Sequence, residues 1–189
     1  EAINKGLKKA TGEIAAWINS DDLYFTDTLG TVAKIFSENP DVDLIYGDVE
    51  NFYSDGRSNL YINKEFAPID FLSRVSVHQP SVFWKRELHN EIGYLDESLY
   101  YLMDYDLWAR IFFSYHTLKV NQPLSKFRIH NLSKTAFNPF GQYKEYRKVI
   151  SRFINSIGDD LITKKIKSLE IYCNDTNHKY DIKNVLLPD

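Results

Sequence analysis

One cysteine, Cys173, stands in 189 residues, so no intramolecular disulfide can form and no thiol-rich metal site can be built. A reducing, cytoplasmic setting follows as the expectation. Net positive charge is missing too: 23 lysines and arginines face 26 aspartates and glutamates, a formal charge of −3, which leaves no broad cationic field for nucleic acid. Any phosphate binding has to come from a local cluster. No apolar run approaches the roughly 20 residues of a membrane helix, and the N-terminus lacks a signal-peptide pattern. Membrane contact is therefore expected to be peripheral, at the inner face, or to lie outside this segment. There is no internal repeat, no low-complexity tract and no initiating methionine; the first ten residues carry a helical spacing with no N-cap ahead of them. What is present is a core-forming composition, 43% hydrophobic and 15% aromatic. That is enough for one domain, or one domain with an appendage.

Along the chain, Ala2, Ile3, Leu7 and Ala10 predict a helix, with Gly12 suited to the left-handed position that ends it. Ile14 to Ile18 reads as a buried strand, Thr26 to Asn39 as a helix stopped by Asn39-Pro40, and Leu44–Tyr46 with Val49–Tyr53 as extended segments. Ser54-Asp55-Gly56-Arg57 signals a turn into a returning strand near Asn59 to Ile62. A short helix over Pro68 to Val75, a strand over Ser81 to Trp84 and a helical turn over Glu87 to Glu91 follow. Leu107, Trp108, Ile111, Phe112 and Tyr115 form one apolar face and predict a helix over Asp104 to Tyr115. His116–Val120 and Pro123–His130 read as strands, and Tyr143–Ile157 and Leu161–Tyr172 as charged helices whose basic residues form a solvated face or, as a minority reading, a membrane or partner surface.

Chemistry concentrates where the apolar run AAWINSDDLYF stops at Asp21 and Asp22. Ligands of open α/β sheets gather beyond the carboxyl ends of strands. Two adjacent carboxylates there repel each other unless a cation offsets both, and hard oxygen ligands select Mg²⁺ or Mn²⁺. The alternative is an Asx-rich turn entering a helix. Later, Lys126, Arg128 and His130 share one face of a period-two strand, and that basic face suits a diphosphate.

These blocks carry a resemblance. Ala2 through Glu13 followed by Trp17-Ile18-Asn19-Ser20-Asp21-Asp22 resembles the segment of family 2 glycosyltransferases, of GT-A fold, that bears their DxD-type motif. Asn39-Pro40-Asp41 through Asp48, His78-Gln79-Pro80-Ser81-Val82-Phe83-Trp84-Lys85-Arg86, Ile92-Gly93-Tyr94-Leu95-Asp96-Glu97, Asp104-Tyr105-Asp106-Leu107-Trp108-Ala109-Arg110 and Phe127-Arg128-Ile129-His130-Asn131-Leu132-Ser133 are similar, in order and spacing, to further blocks of that family. The likeness runs from residue 2 to about 135. Met103 stands where many relatives have glutamate, and Tyr94 replaces a frequent second glycine; both bear on acceptor specificity.

The resemblance implies an α/β, GT-A-like fold, a truncated Rossmann-like mixed sheet flanked by helices. Residues 1–135 would be the C-terminal part of a catalytic domain without its nucleotide-binding half, and 136–189 a helical extension. The implied reaction moves a sugar from a nucleotide-diphosphate-sugar to the hydroxyl of a saccharide or lipid-linked saccharide, with inversion, in polysaccharide or cell-surface glycan synthesis. By the same resemblance Asp22 and His130 would hold the metal, while Asn19, Asp21 and Arg128 would hold the donor. Asp104 would be the general base, although aspartate there also suits a helix N-cap. His78, Gln79, Trp84, Gly93, Tyr94 and Asp106 would line the acceptor side, Asp106 also serving the helix terminus. A non-catalytic saccharide-binding or assembly module of this fold, and a metal-dependent nucleotidyltransferase, are the rival readings.

Overall fold

The computed structural model describes residues 1–73, 77–130 and 139–153. Helix α1 (Ala2–Lys9) buries Leu7 and Asn4 and stops at an extended Ala10, φ −64° and ψ 137°, whose N–H is held by the carbonyls of Gly6 and Leu7. The left-handed termination expected at Gly12 does not occur: among the described glycines, positive φ is confined to Gly56 and Gly93. Strand β1 is Ile14–Ala15 alone. It is shorter than the expected run to Ile18 because the Trp17 carbonyl takes its hydrogen bond from the side-chain amide of Gln79, not from a neighbouring strand. A two-residue strand β2 (Leu23–Tyr24), too short to leave a pattern, comes before α2 (Thr28–Glu38).

Strand β3 (Leu44–Tyr53) is continuous through Gly47, where the sequence suggested two pieces, and turns into β4 (Ser58–Tyr61). Residues Pro68–Ser73 form a 3-10 helix; Val75, expected to end it, lies outside the described residues. Next come β5 (Val82–Lys85), α3 (His89–Ile92), α4 (Met103–Ser114), β6 (Thr117–Ile129) and α5 (Pro139–Phe153). The helix expected over Leu161 to Tyr172 also lies outside the described residues.

The sheet is mixed, in the order β1-β5-β3-β6-β2, with β4 paired to the distal half of β3. β3 and β6 run parallel, and every other pairing is antiparallel. β6 reads as two strands in sequence because it bulges: Gly47 faces Val120, Asp48 faces Pro123 and Val49 faces Ser125. Proline is tolerated at such an irregularity, where no ladder donor is needed. Gly47 is required there by space, since a Cβ would sit 2.5 Å from Leu124 Cγ and 2.8 Å from the Gln122 carbonyl oxygen.

Each face of the sheet has its own core. Val32 and Phe36 of α2 close over Val42, Ile45, Phe83 and Leu124 on one side. On the other, α1, α4 and α5 pack around Leu44, Tyr46, Trp84, Leu107, Ile111 and Phe112, with Tyr146, Val149, Ile150 and Phe153 of α5 built into the same cluster. Three indoles knit this side together: Trp17 stacks on Trp108 at 5.3 Å between ring centres, and Trp84 meets both edge-on.

Candidate active site

The acidic turn is held from two directions. Asp22 N–H donates to the Asn19 carbonyl at 3.1 Å, closing the turn, and Asn19 Nδ2 donates both to Asp22 Oδ2 and to Gln79 Oε1 at 3.2 Å. Gln79 donates in turn to the Trp17 carbonyl, so both ends of its amide serve this turn across some sixty residues of sequence. The short β2–β6 pairing sets Leu23 opposite Lys126, which brings the end of β6 alongside Asp21 and Asp22. Arg128 N–H donates to Asp22 Oδ1 at 3.0 Å, Arg128 Nε donates to the Asp21 carbonyl at 3.2 Å, and His130 Nε2 lies 3.0 Å from Asp21 Oδ2. The Arg128 guanidinium also lies over the Phe52 ring, 4.8 Å from its centre. Asn19, Asp21, Asp22, Gln79, Arg128 and His130 therefore form one cluster.

Asp22 is 5% exposed. Desolvation raises its pKa above the ordinary carboxylate value, with the neighbouring Asp21 charge adding to the rise and the Arg128 and Asn19 donors opposing it. A desolvated carboxylate beside a second one suits a cation. Among the described residues no three His, Cys, Asp or Glu side chains converge as a complete ligand set. The donor set present fits a hard divalent ion held through one or two carboxylates, with phosphate and water oxygens supplying the remainder.

Asp104 is the second residue of α4, not its N-cap, a position taken by Leu102. Its carboxyl is half-buried but closely surrounded by protein, and desolvation pushes its pKa up to about 6 against the Tyr105 N–H that donates to Oδ1 at 2.7 Å. One turn further on lies Trp108, on the same face of the helix. Since Trp108 stacks on Trp17, two residues before Asn19, the start of α4 and the acidic turn adjoin one aromatic cluster.

The expected acceptor residues separate. His78 sits between Tyr61, 4.4 Å away, and Phe127, 5.4 Å away; its Nδ1 is buried without a partner among the described residues, and burial lowers its pKa. Trp84 has no surface left to offer: it is fully buried, and its Nε1 donates to His89 Nε2 at 3.1 Å. An acceptor cannot reach it, so its place is the core. Asp106 is also fully buried, each carboxylate oxygen held by an arginine: Arg110 contacts Oδ2 at 2.9 Å and Arg152 contacts Oδ1. Its expected contact with an acceptor has no open oxygen to use. Gly93, at φ 73°, ends α3 in the left-handed region, and its carbonyl lies 2.7 Å from His89 Nδ1. Tyr94 lies flat on His89 at 4.6 Å.

The firm hold on the loop over 93–102 has no local sequence signal. Asn4 pairs two-way with Leu95, donating to its carbonyl at 2.9 Å and accepting its N–H at 3.1 Å, and it donates to Glu97 as well. Arg110 donates to the carbonyls of Ile92 and Tyr94. From α5, Arg152 and Lys148 engage Asp96, holding its carboxyl well below the usual range. The Glu145 carboxylate accepts the N–H groups of Tyr100, Tyr101 and Leu102 at 2.7–2.9 Å. Lys148 and Arg152, expected on a solvated face, thus belong to a network. Their partners lie some fifty residues upstream, beyond any local pattern.

A mixed sheet with helices on both faces and an acidic turn abutting one end of a strand is the GT-A arrangement of the glycosyltransferases, and the crystal structure of S. aureus TarS 1-349 shares it. The TM-score is 0.58 at 17% identity, over 80% of this chain and 44% of that one. The chain belongs to glycosyl transferase family 2, whose model matches residues 1–98. An uncharacterized glycosyltransferase of Rickettsia typhi is 28% identical over 82% of this chain and 52% of its own length, and one of Rickettsia conorii is 31% identical over 59% and 20%. A PGL/p-HBAD biosynthesis glycosyltransferase of Mycobacterium tuberculosis is 29% identical over 75% and 51%. The chain spans about a fifth to a half of the length of these relatives. Among the described residues no helix is long and apolar enough to cross a membrane.

Proposed function

We propose that the protein carrying this chain transfers a sugar from a nucleotide-diphosphate-sugar to the hydroxyl of a saccharide or lipid-linked acceptor, with inversion at the anomeric carbon. The observation that carries the reading is the meeting of Asp21 and Asp22 with Arg128 and His130, more than a hundred residues away, joined through the Trp17–Trp108 stack to a helix whose first turn carries a desolvated Asp104. Asp22 would hold a Mg²⁺ or Mn²⁺ ion, with Asp21 and His130 beside it; when bound, that ion stabilises negative charge developing on the departing diphosphate. Asn19 and Gln79 keep the turn in shape and set the direction of the Asp22 carboxylate. The Arg128 guanidinium supplies positive charge where diphosphate oxygens would lie.

Asp104 accepts the acceptor hydroxyl's proton as the bond to the sugar forms. A carboxyl titrating at about 6 is ionised at neutral pH yet more basic than an ordinary aspartate, which suits proton transfer from a weakly acidic hydroxyl. The rings of Tyr61 and Phe127 beside His78 offer apolar surface to sugar C–H groups. The test is Mn²⁺-dependent binding of a uridine or guanosine diphosphate-sugar by the full-length protein. Asp22→Asn is expected to abolish the Mn²⁺ dependence, and Asp104→Asn to keep donor binding while losing transfer. Unchanged turnover in Asp104→Asn would remove the base assignment.

A further inference from the structure

We infer that Glu145, on α5, is a positioning residue for Asp104, which makes this helix a working part of the transferase site. The inference rests on the reading of Asp104 as the base. Its geometry is specific: one carboxylate gathers three consecutive backbone N–H groups, Tyr100 at 2.8 Å, Tyr101 at 2.7 Å and Leu102 at 2.9 Å, immediately before Met103 begins α4. Leu102 is the N-cap and its aliphatic side chain satisfies no helical donor; the Glu145 carboxylate instead holds the N-cap amide itself and the two amides before it. Asp104 stands two residues past the last of these amides. Where the 100–102 backbone goes, the first turn of α4 and its carboxylate go too.

Glu145 is not an isolated surface contact. The Tyr146 ring beside it packs on Tyr105, 5.9 Å between centres, and Tyr146 is buried in the core. Two turns on, Arg152 bridges Asp96 and the fully buried Asp106. α5 therefore grips the peptide on both sides of Asp104, at residue 96, at residues 100–102 and at residue 106. Arg152 and Asp106 are structural, because breaking their pair leaves a buried charge. Glu145 differs: its bonds all go to the loop that leads into Asp104.

A carboxylate aimed at three amides acts on the position of the loop and so on the burial of Asp104. Loosening the loop admits water to Asp104 and relieves the desolvation that raises its pKa, which falls. A role confined to holding α5 in place would change stability and leave that titration where it was.

The experiment uses the full-length protein with ¹³C-carboxyl-labelled aspartate, Asp104 being assigned by the signal lost in Asp104→Asn. Glu145→Gln is compared with wild type, since glutamine keeps the shape but presents one carbonyl oxygen and a donor to the three amides. The Asp104 midpoint is expected near 6 in wild type and lower by about half a unit or more in Glu145→Gln. Amide exchange at residues 100–102 should quicken, and kcat should fall by about 10- to 100-fold while the KM for donor stays within about twofold. Glu145→Asp, which keeps the charge on a shorter arm, should recover part of the kcat. A folded Glu145→Gln with wild-type midpoint and kcat overturns the inference. If instead Asp104→Asn turns over at the wild-type rate, the base assignment itself has failed, whatever Glu145 does to the loop.

Discussion

Replacing Asp104 by asparagine should make the protein more stable at neutral pH, and by an amount that depends on pH. The carboxyl titrates at about 6 in the fold against an ordinary 3.8, so the fold favours its protonated form. Slightly more than two units at about 1.4 kcal/mol each gives an upper bound of about 3 kcal/mol. Partial exposure of the side chain trims this to about 1–3 kcal/mol. Because the folded pKa is the raised one, wild type keeps this stability below pH 3.8 and loses it as pH rises through 6. Asparagine does not ionise, and its Oδ1 can still accept the Tyr105 N–H that Asp104 accepts at 2.7 Å. Urea unfolding of the full-length protein and of Asp104→Asn at pH 7.5 and pH 4.5 reads the difference directly. The variant should be more stable at pH 7.5, and the gap should shrink to about a third at pH 4.5. An equal gap at both pH values, or a variant less stable than wild type at pH 7.5, would show that the carboxyl is not held in a desolvated state and would take away the basis for its raised basicity.

Other outcomes follow from the same geometry. Gly47→Ala should cost about 1–3 kcal/mol, because the new methyl meets Leu124 and the Gln122 carbonyl in a packed core; a thermal melt reads it, and Leu124→Ala in the same chain should restore only the side-chain share. Arg152→Ala leaves the fully buried Asp106 with one guanidinium and should cost about 2–3 kcal/mol, with Arg152→Lys recovering part by denaturant titration. His78→Phe removes a buried nitrogen that has no partner among the described residues and should be neutral or stabilising at pH 8. Since burial lowers the His78 pKa, wild type loses stability as pH falls below 6.5, and the advantage of phenylalanine should grow over that range.

How much could be read from the chain divides by sequence distance. Helix α4 was legible because five apolar side chains recur on one face within twelve residues, and α2 because its periodic run meets Asn39-Pro40. The alternation of Lys126, Arg128 and His130 marked β6, while its continuity through Pro123 was hidden by a bulge that only the opposing Gly47 explains. β1 was read too long, since nothing local says that Gln79 will claim the Trp17 carbonyl. At the site, the acidic pair and the basic strand each stood out by composition. The pairing that unites them runs through a two-residue strand and left no trace. Trp84 and Asp106 were read as reaching a ligand because aromatic and acidic residues often do. Their burial depends on Trp17 and Arg152, contributed by distant stretches of chain, as well as on the nearer His89 and Arg110.

The two-way amide pairing between Asn4 and Leu95, together with the three amides gathered by Glu145, has a consequence for biosynthesis. Residue 4 leaves the ribosome well before residue 145, so the segment between them waits for both of its holds. A nascent chain halted before α5 emerges could already form the β3–β5 pairing and bury Trp84, but its 100–102 backbone would have no carboxylate to settle against. Translation would therefore lay down the sheet first and settle the start of α4 only once α5 has followed it out.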